Sequence, residues 1–204
     1  MVAIVDYGMG NLASIKNMLK KIGVKSEITS SSKLLEQATR IILPGVGSFD
    51  NAMDNIRSRE LLDILTQKAI VEKVPFLGIC LGMQIFMSRS EEGSLPGLGW
   101  IKGDVRRFTF EQGKAQLKVP HMGWNIVQSK DSNNLFKGLS SAWFYFVHSY
   151  YVHCENQQNV LATTQYGIEF ASSVRSGNIF GTQFHPEKSH KYGMQLLRNF
   201  LEET

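Results

Sequence analysis

The sequence predicts an α/β fold: an open, mainly parallel, twisted sheet flanked by helices, with extra antiparallel strands in the second half. In the first half, short apolar runs alternate with amphipathic helical stretches, and this alternation is typical of a parallel sheet covered on both faces. In the second half, strand-like runs follow one another across short turns, which favours antiparallel pairing. No repeat or Pro/Gly/Ser-rich linker divides the 204 residues, so we expect one domain spanning 1–204.

The elements of the first half follow from apolar periodicity and its breaks. Gly23 ends the first helix, Ser32 can cap the second, and Pro44 with Gly45 stops the third strand. In chain order the predicted elements are strand 2–6, helix 12–22, strand 25–29, helix 33–38, strand 40–43, helical region 50–72 and strand 75–79. The carboxyl ends of parallel strands meet at one edge of a sheet, and a site is expected there.

The second half is richer in strands. A hairpin around 111–114 is predicted to join strands 104–110 and 116–119, and 176–178 has the composition of a second hairpin turn. The other predicted elements are strands 125–128, 143–152, 160–166, 171–175 and 179–184, and a last helix from Ser189 to about 201.

The composition excludes several classes of protein. The net charge is +4 and the basic residues are scattered, so no nucleic-acid-binding surface is expected. The chain begins without a signal-peptide pattern and has no apolar stretch near the roughly 20 residues of a membrane span, so no membrane association is expected. Its two cysteines, Cys80 and Cys154, form neither a disulfide framework nor a zinc-ligand pattern. We therefore expect a cytoplasmic protein without a bound metal.

The most informative segment surrounds Cys80. An apolar strand ends at this cysteine, Gly78 lies two residues before it, Gly82 lies two residues after it, and a helical segment follows. Small residues at these spacings are typical of a nucleophile elbow, a tight strand-to-helix turn that presents a reactive side chain. A helix N-terminus would also activate the thiol. The alternative is that Cys80 is a small buried core residue.

A cysteine nucleophile needs a base and a group that orients the base. His185 follows an apolar strand and precedes Pro186, which favours an extended backbone at His185, so that Glu187 can point to the same side. A carboxylate beside an imidazole holds its tautomer and stabilises the imidazolium. The alternative is a surface His-Pro turn with a solvated glutamate.

The third requirement is an oxyanion hole. The loop 44–47, Pro-Gly-Val-Gly, follows a strand and can turn the backbone N–H groups of Val46 and Gly47 towards the site, and the Leu81 N–H is the natural second donor. The loop lacks the Gly-Lys-Ser/Thr of a phosphate loop, and Gly8-Met9-Gly10 is too short to indicate dinucleotide binding. No cofactor is therefore expected.

Together these motifs resemble the class I (triad) glutamine amidotransferases. The matching segments are 44–47, 78–84 (Gly-Ile-Cys-Leu-Gly-Met-Gln) and 184–188 (Phe-His-Pro-Glu-Lys). Three further segments, 6–11 (Asp-Tyr-Gly-Met-Gly-Asn), 120–125 (Pro-His-Met-Gly-Trp-Asn) and 145–150 (Tyr-Phe-Val-His-Ser-Tyr), resemble the glutaminase subunits of imidazole glycerol phosphate synthases. The resemblance runs from the first strand to the last helix and implies a flavodoxin-like sheet.

The resemblance implies a role for each matching residue. Cys80 would attack the side-chain amide of L-glutamine, His185 would transfer the proton, and Glu187 would orient His185. The oxyanion would be held by the Val46–Gly47 segment and Leu81, with a peptide flip in the loop supplying one donor. The implied glutamine-binding residues are Gly45, Gln84, His148, Ser149 and Tyr150.

The resemblance also implies a partner, a (β/α)₈-barrel cyclase subunit in a heterodimer. The partner would use the ammonia to make imidazole glycerol phosphate and AICAR in histidine biosynthesis. Asn11, Trp124, Tyr145 and Lys188 match family positions at that contact. His121 has no assigned chemistry, and a structural or interface role is favoured for it.

Three alternatives stay open at this point. The chain has His190 and Lys191 after Ser189, where many family members have a second serine, and this is compatible with a paralogue that supplies ammonia for amidino-sugar synthesis in bacterial surface polysaccharide. A stand-alone thiol γ-glutamyl hydrolase would share the elbow. A non-catalytic regulatory subunit would be expected to lose one of the triad residues, and all three are present.

Overall fold

Strands from both halves of the chain form one twelve-stranded sheet in the computed structural model, which describes residues 1–110, 117–130 and 134–202. The strands are β1 (Val2–Val5), β2 (Ser26–Thr29), β3 (Arg40–Gly45), β4 (Phe76–Cys80), β5 (Arg89–Ser90), β6 (Gly103–Arg107), β7 (His121–Ser129), β8 (Ser141–His148), β9 (Tyr150–Cys154), β10 (Val160–Tyr166), β11 (Ile168–Ser176) and β12 (Ile179–Thr182). The helices are α1 (Leu12–Lys21), α2 (Ser32–Glu36), α3 (Phe49–Ser58), α4 (Leu62–Thr66), α5 (Leu81–Gln84) and α6 (His190–Glu202).

The sheet confirms the predicted fold class. Its main path runs β2-β1-β3-β4-β12-β11-β10-β7-β8, and the first five strands of this path are mutually parallel. From β12 onwards each neighbour along the path is antiparallel. The order of the parallel part, with the chain turning to opposite sides after β1, is the doubly wound pattern in which ligands bind at the carboxyl ends of the strands near the reversal.

Both faces of the parallel part are buried. In β1, Ala3 and Val5 pack on one side with α3 and α4, while Val2 and Ile4 pack on the other side with α1 and α6. Successive side chains of a strand point to opposite faces, so a strand buried on both faces has a continuous apolar sequence. This explains why the sequence of the first half shows unbroken apolar runs. Among the described residues, no helix has the length and apolar character needed to cross a membrane.

Two predicted boundaries near the first loops are corrected. The strand predicted to stop before Pro44 continues through Gly45, because Pro44 pairs with β4 while its carbonyl accepts a hydrogen bond from Tyr7 Oη at 2.7 Å. Ser31 occupies the cap position of α2 in place of the predicted Ser32, which is the first helical residue.

The helical region predicted at 50–72 is divided. Glu60 has a φ of +57° between α3 and α4, and a π-helical turn, Gln67–Val71, follows α4.

Two strand predictions in the second half are wrong. The continuous strand 143–152 is interrupted at Ser149, because β8 pairs with β7 whereas β9 pairs with β6 and β11. The hairpin predicted from 104–110 and 116–119 is also not formed: β6 pairs with β5 and β9, and 117–119 are outside any strand. The predicted turn 111–114 lies outside the described residues. The hairpin turn at 176–178 is confirmed by the antiparallel pairing of β11 and β12.

Candidate active site

Cys80 lies at a sharp turn between β4 and α5. Its φ of +55° and ψ of −108° place a residue with a side chain in a region that L-amino acids rarely occupy. The flanking glycines permit this turn, because a Cβ on Gly82 would overlap the Leu43 carbonyl and a Cβ on Gly78 would meet the Phe86 ring. The sequence thus folds into a strained elbow that holds the sulfur at the carboxyl edge of the sheet.

His185 and Glu187 form a buried pair beside this elbow. They follow β12, the strand adjacent to β4, and the Nδ1–H of His185 donates to Glu187 Oε1 at 2.8 Å. His185 Nε2 is buried and makes no hydrogen bond with any described residue. Burial lowers the pKa of His185, but the negative charges of Cys80 and Glu187 outweigh burial and raise the pKa to about 10. The raised pKa favours the protonated form of this ring, as is required of a base that takes up the proton of a nucleophile.

The Cys80 sulfur has two polar neighbours on other elements. Its thiol lies 3.9 Å from the Val147 carbonyl, and Gln183 Nε2 donates to the sulfur at 3.6 Å. Gln84 Nε2 donates at 3.0 Å both to Gln183 Oε1 and to the Tyr150 carbonyl. These two side-chain amides connect the sulfur to the segment where the chain passes from β8 to β9.

A pocket of about 310 Å³ opens directly in front of the sulfur. This volume suits a small metabolite. The structure brings most of the predicted oxyanion and substrate residues together here. The residues that line the pocket are Val46, Gly47, Cys80, Leu81, Gln84, Glu92, Pro120, Val147, His148, Ser149 and Tyr150.

The predicted oxyanion segment approaches the elbow closely. Gly45 is opposite Cys80 in the parallel register and is buried below the pocket, where a Cβ would meet Tyr7 Oη and the Leu81 side chain. Gly47 has a φ of +118°, so a glycine is required at the point where the loop turns over the pocket. As the first residue of α5, Leu81 carries an N–H that the helix itself does not satisfy.

Sequence reasoning missed three residues of this site. Tyr7 donates to the Pro44 carbonyl, and burial together with the nearby Cys80 raises the pKa of Tyr7 far above its usual range, so its hydroxyl stays a donor. Glu92 lines the pocket, accepts a hydrogen bond from the Phe49 N–H at 2.9 Å, and has a pKa raised by partial burial. Gln183 contacts the sulfur. The position of Gln183 directly before the 184–188 motif could have indicated it, whereas no local sequence pattern indicates Glu92.

Three of the four predicted interface residues lie together on the surface. The rings of Trp124 and Tyr145 are 6.2 Å apart, Lys188 Nζ lies 5.7 Å from the Tyr145 ring centre, and His190 stacks on Trp124 at 5.4 Å. Asn11 has a different contact, since its side chain accepts from the Ser14 N–H and caps α1.

The second half of the sheet carries an exposed apolar surface. Met122 and Trp124 on β7 and Trp143 on β8 are 62%, 42% and 47% exposed. In the antiparallel register Met122 faces Val147 and Trp124 faces Tyr145, so these side chains share one face of the hairpin. We call this surface, Met122, Trp124, Trp143, Tyr145 and Val147, the hairpin face.

The other titratable groups of interest lie elsewhere. Cys154 is buried, and burial raises the pKa of its thiol to about 11. His153 contacts Asp104 and Arg106 on the neighbouring strand β6. Among the residues that the structure describes, no cluster of His, Cys, Asp and Glu has the arrangement of a metal site.

Comparison with known proteins identifies the class. The model of the family "Glutamine amidotransferase class-I" matches residues 3–204, and the chain belongs to this family. Its fold is similar to a crystal structure of a glutamine amidotransferase, with a TM-score of 0.74, 22% identity and coverage of 98% of this chain and 97% of the other. It is also similar to a glutamine amidotransferase from Thermotoga maritima, with a TM-score of 0.67, 16% identity and coverage of 98% and 96%.

Curated relatives narrow the class further. The chain is 52% identical to imidazole glycerol phosphate synthase subunit HisH 2 of Methanococcus maripaludis over 205 residues, covering 100% of both chains. It is 48% identical to subunit HisH of Leptospira interrogans, covering 98% of both. It is also 48% identical to subunit HisH of Bdellovibrio bacteriovorus, covering 99% of this chain and 100% of that relative.

Proposed function

We propose that the chain is a single glutamine amidotransferase domain that hydrolyses L-glutamine and delivers the ammonia to a synthase partner. One observation carries this proposal. Cys80 stands on a strained elbow, the buried pair of His185 and Glu187 lies behind it, and a pocket of about 310 Å³ opens in front of it. The resemblance to HisH subunits along the whole chain supports glutamine as the substrate.

The reaction proceeds through a thioester. The Cys80 sulfur, its proton taken by His185, adds to the side-chain amide carbon of glutamine. His185 then gives the proton to the amide nitrogen, the C–N bond breaks, and ammonia leaves. Water, deprotonated by His185, adds to the carbonyl carbon of the γ-glutamyl thioester, the C–S bond breaks and glutamate is released, and His185 returns the proton to the sulfur. The raised pKa of His185 suits the second step, because the ring holds its proton until the leaving nitrogen needs it. These steps use only side chains of the chain and water, so they require no cofactor.

The tetrahedral oxyanion needs N–H donors. The Leu81 N–H at the start of α5 supplies one, and the helix N-terminus adds favourable electrostatics. The Val46–Gly47 segment supplies the other, with a peptide flip as the step that a partner could control. Tyr7 supports this arrangement, because its hydrogen bond to the Pro44 carbonyl fixes the start of the loop.

Glutamine itself is held by the rest of the pocket lining. The Glu92 carboxylate is proposed to pair with the α-ammonium group, since it lines the pocket and its Oε2 is held there by the Phe49 N–H at 2.9 Å. Residues 148–150 and Gln84 also line the pocket, and we propose that they contact the bound glutamine. Gly45 contributes by allowing the elbow to approach β3.

The ammonia acceptor is reached through the hairpin face. Trp124, Tyr145 and Lys188 cluster there, and exposed aromatic residues beside a cation are typical of a protein interface. We propose a (β/α)₈-barrel cyclase as the partner in a cytoplasmic heterodimer, with Asn11 at the edge of the contact. Docking next to the pocket would keep ammonia from protonation in bulk water. The product would be imidazole glycerol phosphate, with AICAR, in histidine biosynthesis.

The names of the relatives favour this function over the alternatives. The three relatives described above are all imidazole glycerol phosphate synthase subunits. Neither the amidino-sugar paralogue nor the stand-alone γ-glutamyl hydrolase is favoured by these matches. The exposed apolar hairpin face also fits a protein that works with a partner better than a stand-alone hydrolase.

The test uses Cys80→Ala and the matched variant Cys154→Ala, since both thiols are free and buried. Cys80→Ala in the complex should abolish glutamine-dependent synthesis and retain ammonia-dependent synthesis. Cys154→Ala should retain both. A glutamine analogue with an electrophilic group in place of the side-chain amide should label Cys80 and not Cys154, as measured by mass spectrometry. Glutamine hydrolysis that persists in Cys80→Ala would contradict the mechanism.

A further inference from the structure

Two histidines outside the triad contact each other beside the pocket. His121 on β7 and His148 on β8 are opposite each other in the antiparallel register, and His121 Nδ1 lies 3.0 Å from His148 Nε2. Both side chains are buried. When both imidazoles are neutral, one proton lies between the two facing nitrogens, so one nitrogen donates and the other accepts. The contacts at the two ends of the pair decide the direction.

At the pocket end, His148 must donate. Its Nδ1 lies 2.7 Å from the Tyr150 carbonyl, which can only accept. His148 Nδ1 therefore carries the proton, and in the neutral ring Nε2 is an acceptor. The Tyr150 carbonyl also accepts from Gln84, so two side chains hold this one backbone group of the pocket wall.

At the other end, Asn125 fixes the same direction independently. Its Oδ1 accepts from the Ile126 N–H at 2.8 Å, which determines the orientation of the amide. Its Nδ2 then donates to the Gln165 carbonyl at 3.0 Å and to His121 Nε2 at 3.3 Å. His121 Nε2 is therefore an acceptor, and the His121 proton is on Nδ1, pointing at His148. The two ends assign the same proton positions.

The surroundings keep both rings neutral. His121 is stacked between Phe146 at 4.7 Å and Tyr166 at 4.0 Å between ring centres. Burial lowers the pKa of His121 to about 4 and that of His148 to about 3, and for His148 burial outweighs the hydrogen bond to Tyr150, which raises the pKa. A second proton on either ring would point two N–H groups at each other. The direction of the hydrogen bonds is thus fixed around pH 7.

We propose that Asn125, His121 and His148 form a one-directional hydrogen-bond relay that positions the Tyr150 carbonyl and hence the wall of the glutamine pocket. The inference rests on the proposed glutaminase function. The relay begins on β7 next to Trp124 of the hairpin face and ends at Tyr150 in the pocket lining, so it connects the hairpin face to the pocket. His121 and His148 are positioning residues, since their side chains act through the Tyr150 backbone.

The first test reads the proton positions directly. Long-range ¹H–¹⁵N NMR of the full chain with ¹⁵N-labelled histidine, at pH 7, should show two neutral rings protonated on Nδ1. A neutral imidazole in water prefers the Nε2 proton, so these two signals should differ from those of the exposed rings. His121→Phe should remove one signal and identify it. If the ring of His121 or His148 is cationic, or carries its proton on Nε2, the relay is overturned.

The second test separates hydrogen bonding from packing at His121. In His121→Phe the ring can stay between Phe146 and Tyr166, but the donor is lost. In His121→Asn the stacking is lost, but the amide Nδ2 occupies the place of the ring Nδ1 and can donate to His148. With the partner and its acceptor ligand present, we expect His121→Phe to raise the KM for glutamine about tenfold with kcat within about threefold, and His121→Asn to restore the KM to within about threefold of the wild type.

The control is His153→Phe, because His153 pairs with Asp104 and lies outside the pocket lining. Its KM should equal that of the wild type. A KM in His121→Asn as high as in His121→Phe, or an unchanged KM in both, would overturn the positioning role. If the wild-type complex hydrolyses no glutamine, the proposed function fails, while the NMR spectrum still decides whether the relay exists.

Discussion

The two regions of the molecule use buried histidines in opposite ways. At the parallel strand ends, His185 is 1% exposed and its pKa is raised to about 10. In the antiparallel hairpin, His121 and His148 are 3% and 6% exposed, and their pKa values are lowered to about 4 and about 3. Burial is nearly the same, so the neighbours decide: His185 has a thiol and a carboxylate beside it, whereas the hairpin pair has amides, a carbonyl and aromatic rings.

The difference reflects how each region is built. The parallel region brings backbone segments together through glycines, so Gly45, Gly78 and Gly82 allow the elbow and the oxyanion loop to meet. The antiparallel region has paired strands with one exposed face and uses side-chain hydrogen bonds to hold the pocket wall. Under the proposed function, the first region therefore carries the covalent chemistry, and the second is proposed for substrate positioning and the contact with the partner.

The largest expected effect tests the backbone packing of the parallel region. Gly82→Ala places a Cβ against the Leu43 carbonyl, and the backbone must move. We expect a loss of about 3 kcal/mol or more in the free energy of unfolding, measured by urea titration, together with loss of glutamine hydrolysis. Gly23→Ala is the control, because Gly23 has open space around it and only its φ of +84° disfavours a side chain, at a cost of about 1 kcal/mol. Equal losses would refute the close-approach argument.

The next effect tests the charge that holds the proton on His185. Glu187→Gln keeps the shape but removes the carboxylate that accepts from His185 at 2.8 Å. We expect kcat for glutamine hydrolysis in the complex to fall about 100-fold. Because the carboxylate raises the pKa of His185, the alkaline limb of the pH profile should move to lower pH. Glu169→Gln, on the exposed end of β11, should leave both measurements unchanged. An unmoved alkaline limb would mean that Glu187 acts without its charge.

A smaller effect tests the separate role of the hairpin face. Trp124→Ala should weaken binding to the partner by about 2 kcal/mol, roughly 30-fold in Kd, since exposed aromatic anchors dominate interfaces. The stability of the isolated chain should change little. Isothermal titration calorimetry against the purified partner measures the affinity. Val71→Ala, at an exposed apolar position in the π-helical turn, should leave the affinity as it is. Comparable weakening by both variants would remove the hairpin face from the interface.

The sequence predicted the parallel region better than the antiparallel one, for a physical reason. The elbow at Cys80 and the pair of His185 and Glu187 are encoded within a few neighbouring residues. The break at Ser149 is different, because it arises when β8 and β9 choose different partner strands far away in the chain.

The missed site residues also depend on contacts between distant parts of the chain. Glu92 reaches the pocket through a contact with Phe49, and Tyr7 reaches it through Pro44, a residue 37 positions away. The relay from Asn125 to Tyr150 depends on the β7–β8 register, which the alternating pattern of a single strand does not specify.

The smallest expected effect uses the opposite pKa shifts of the two regions. His121 and His148 have pKa values in the folded chain below the usual value of 6.5, so the unfolded chain binds more protons as the pH falls. Their contribution to stability is fully present above about pH 6.5 and is lost as the pH falls towards 4, by up to about 1.4 kcal/mol per pH unit for each ring. His185 has a raised pKa, so its contribution is fully present below pH 6.5 and is lost only as the pH rises towards about 10. Urea titrations of the wild type and His121→Phe between pH 7 and 5 should therefore give a shallower loss in the variant. Equal slopes would mean that His121 can accept a proton in the folded chain, and the contrast between the two regions would not hold.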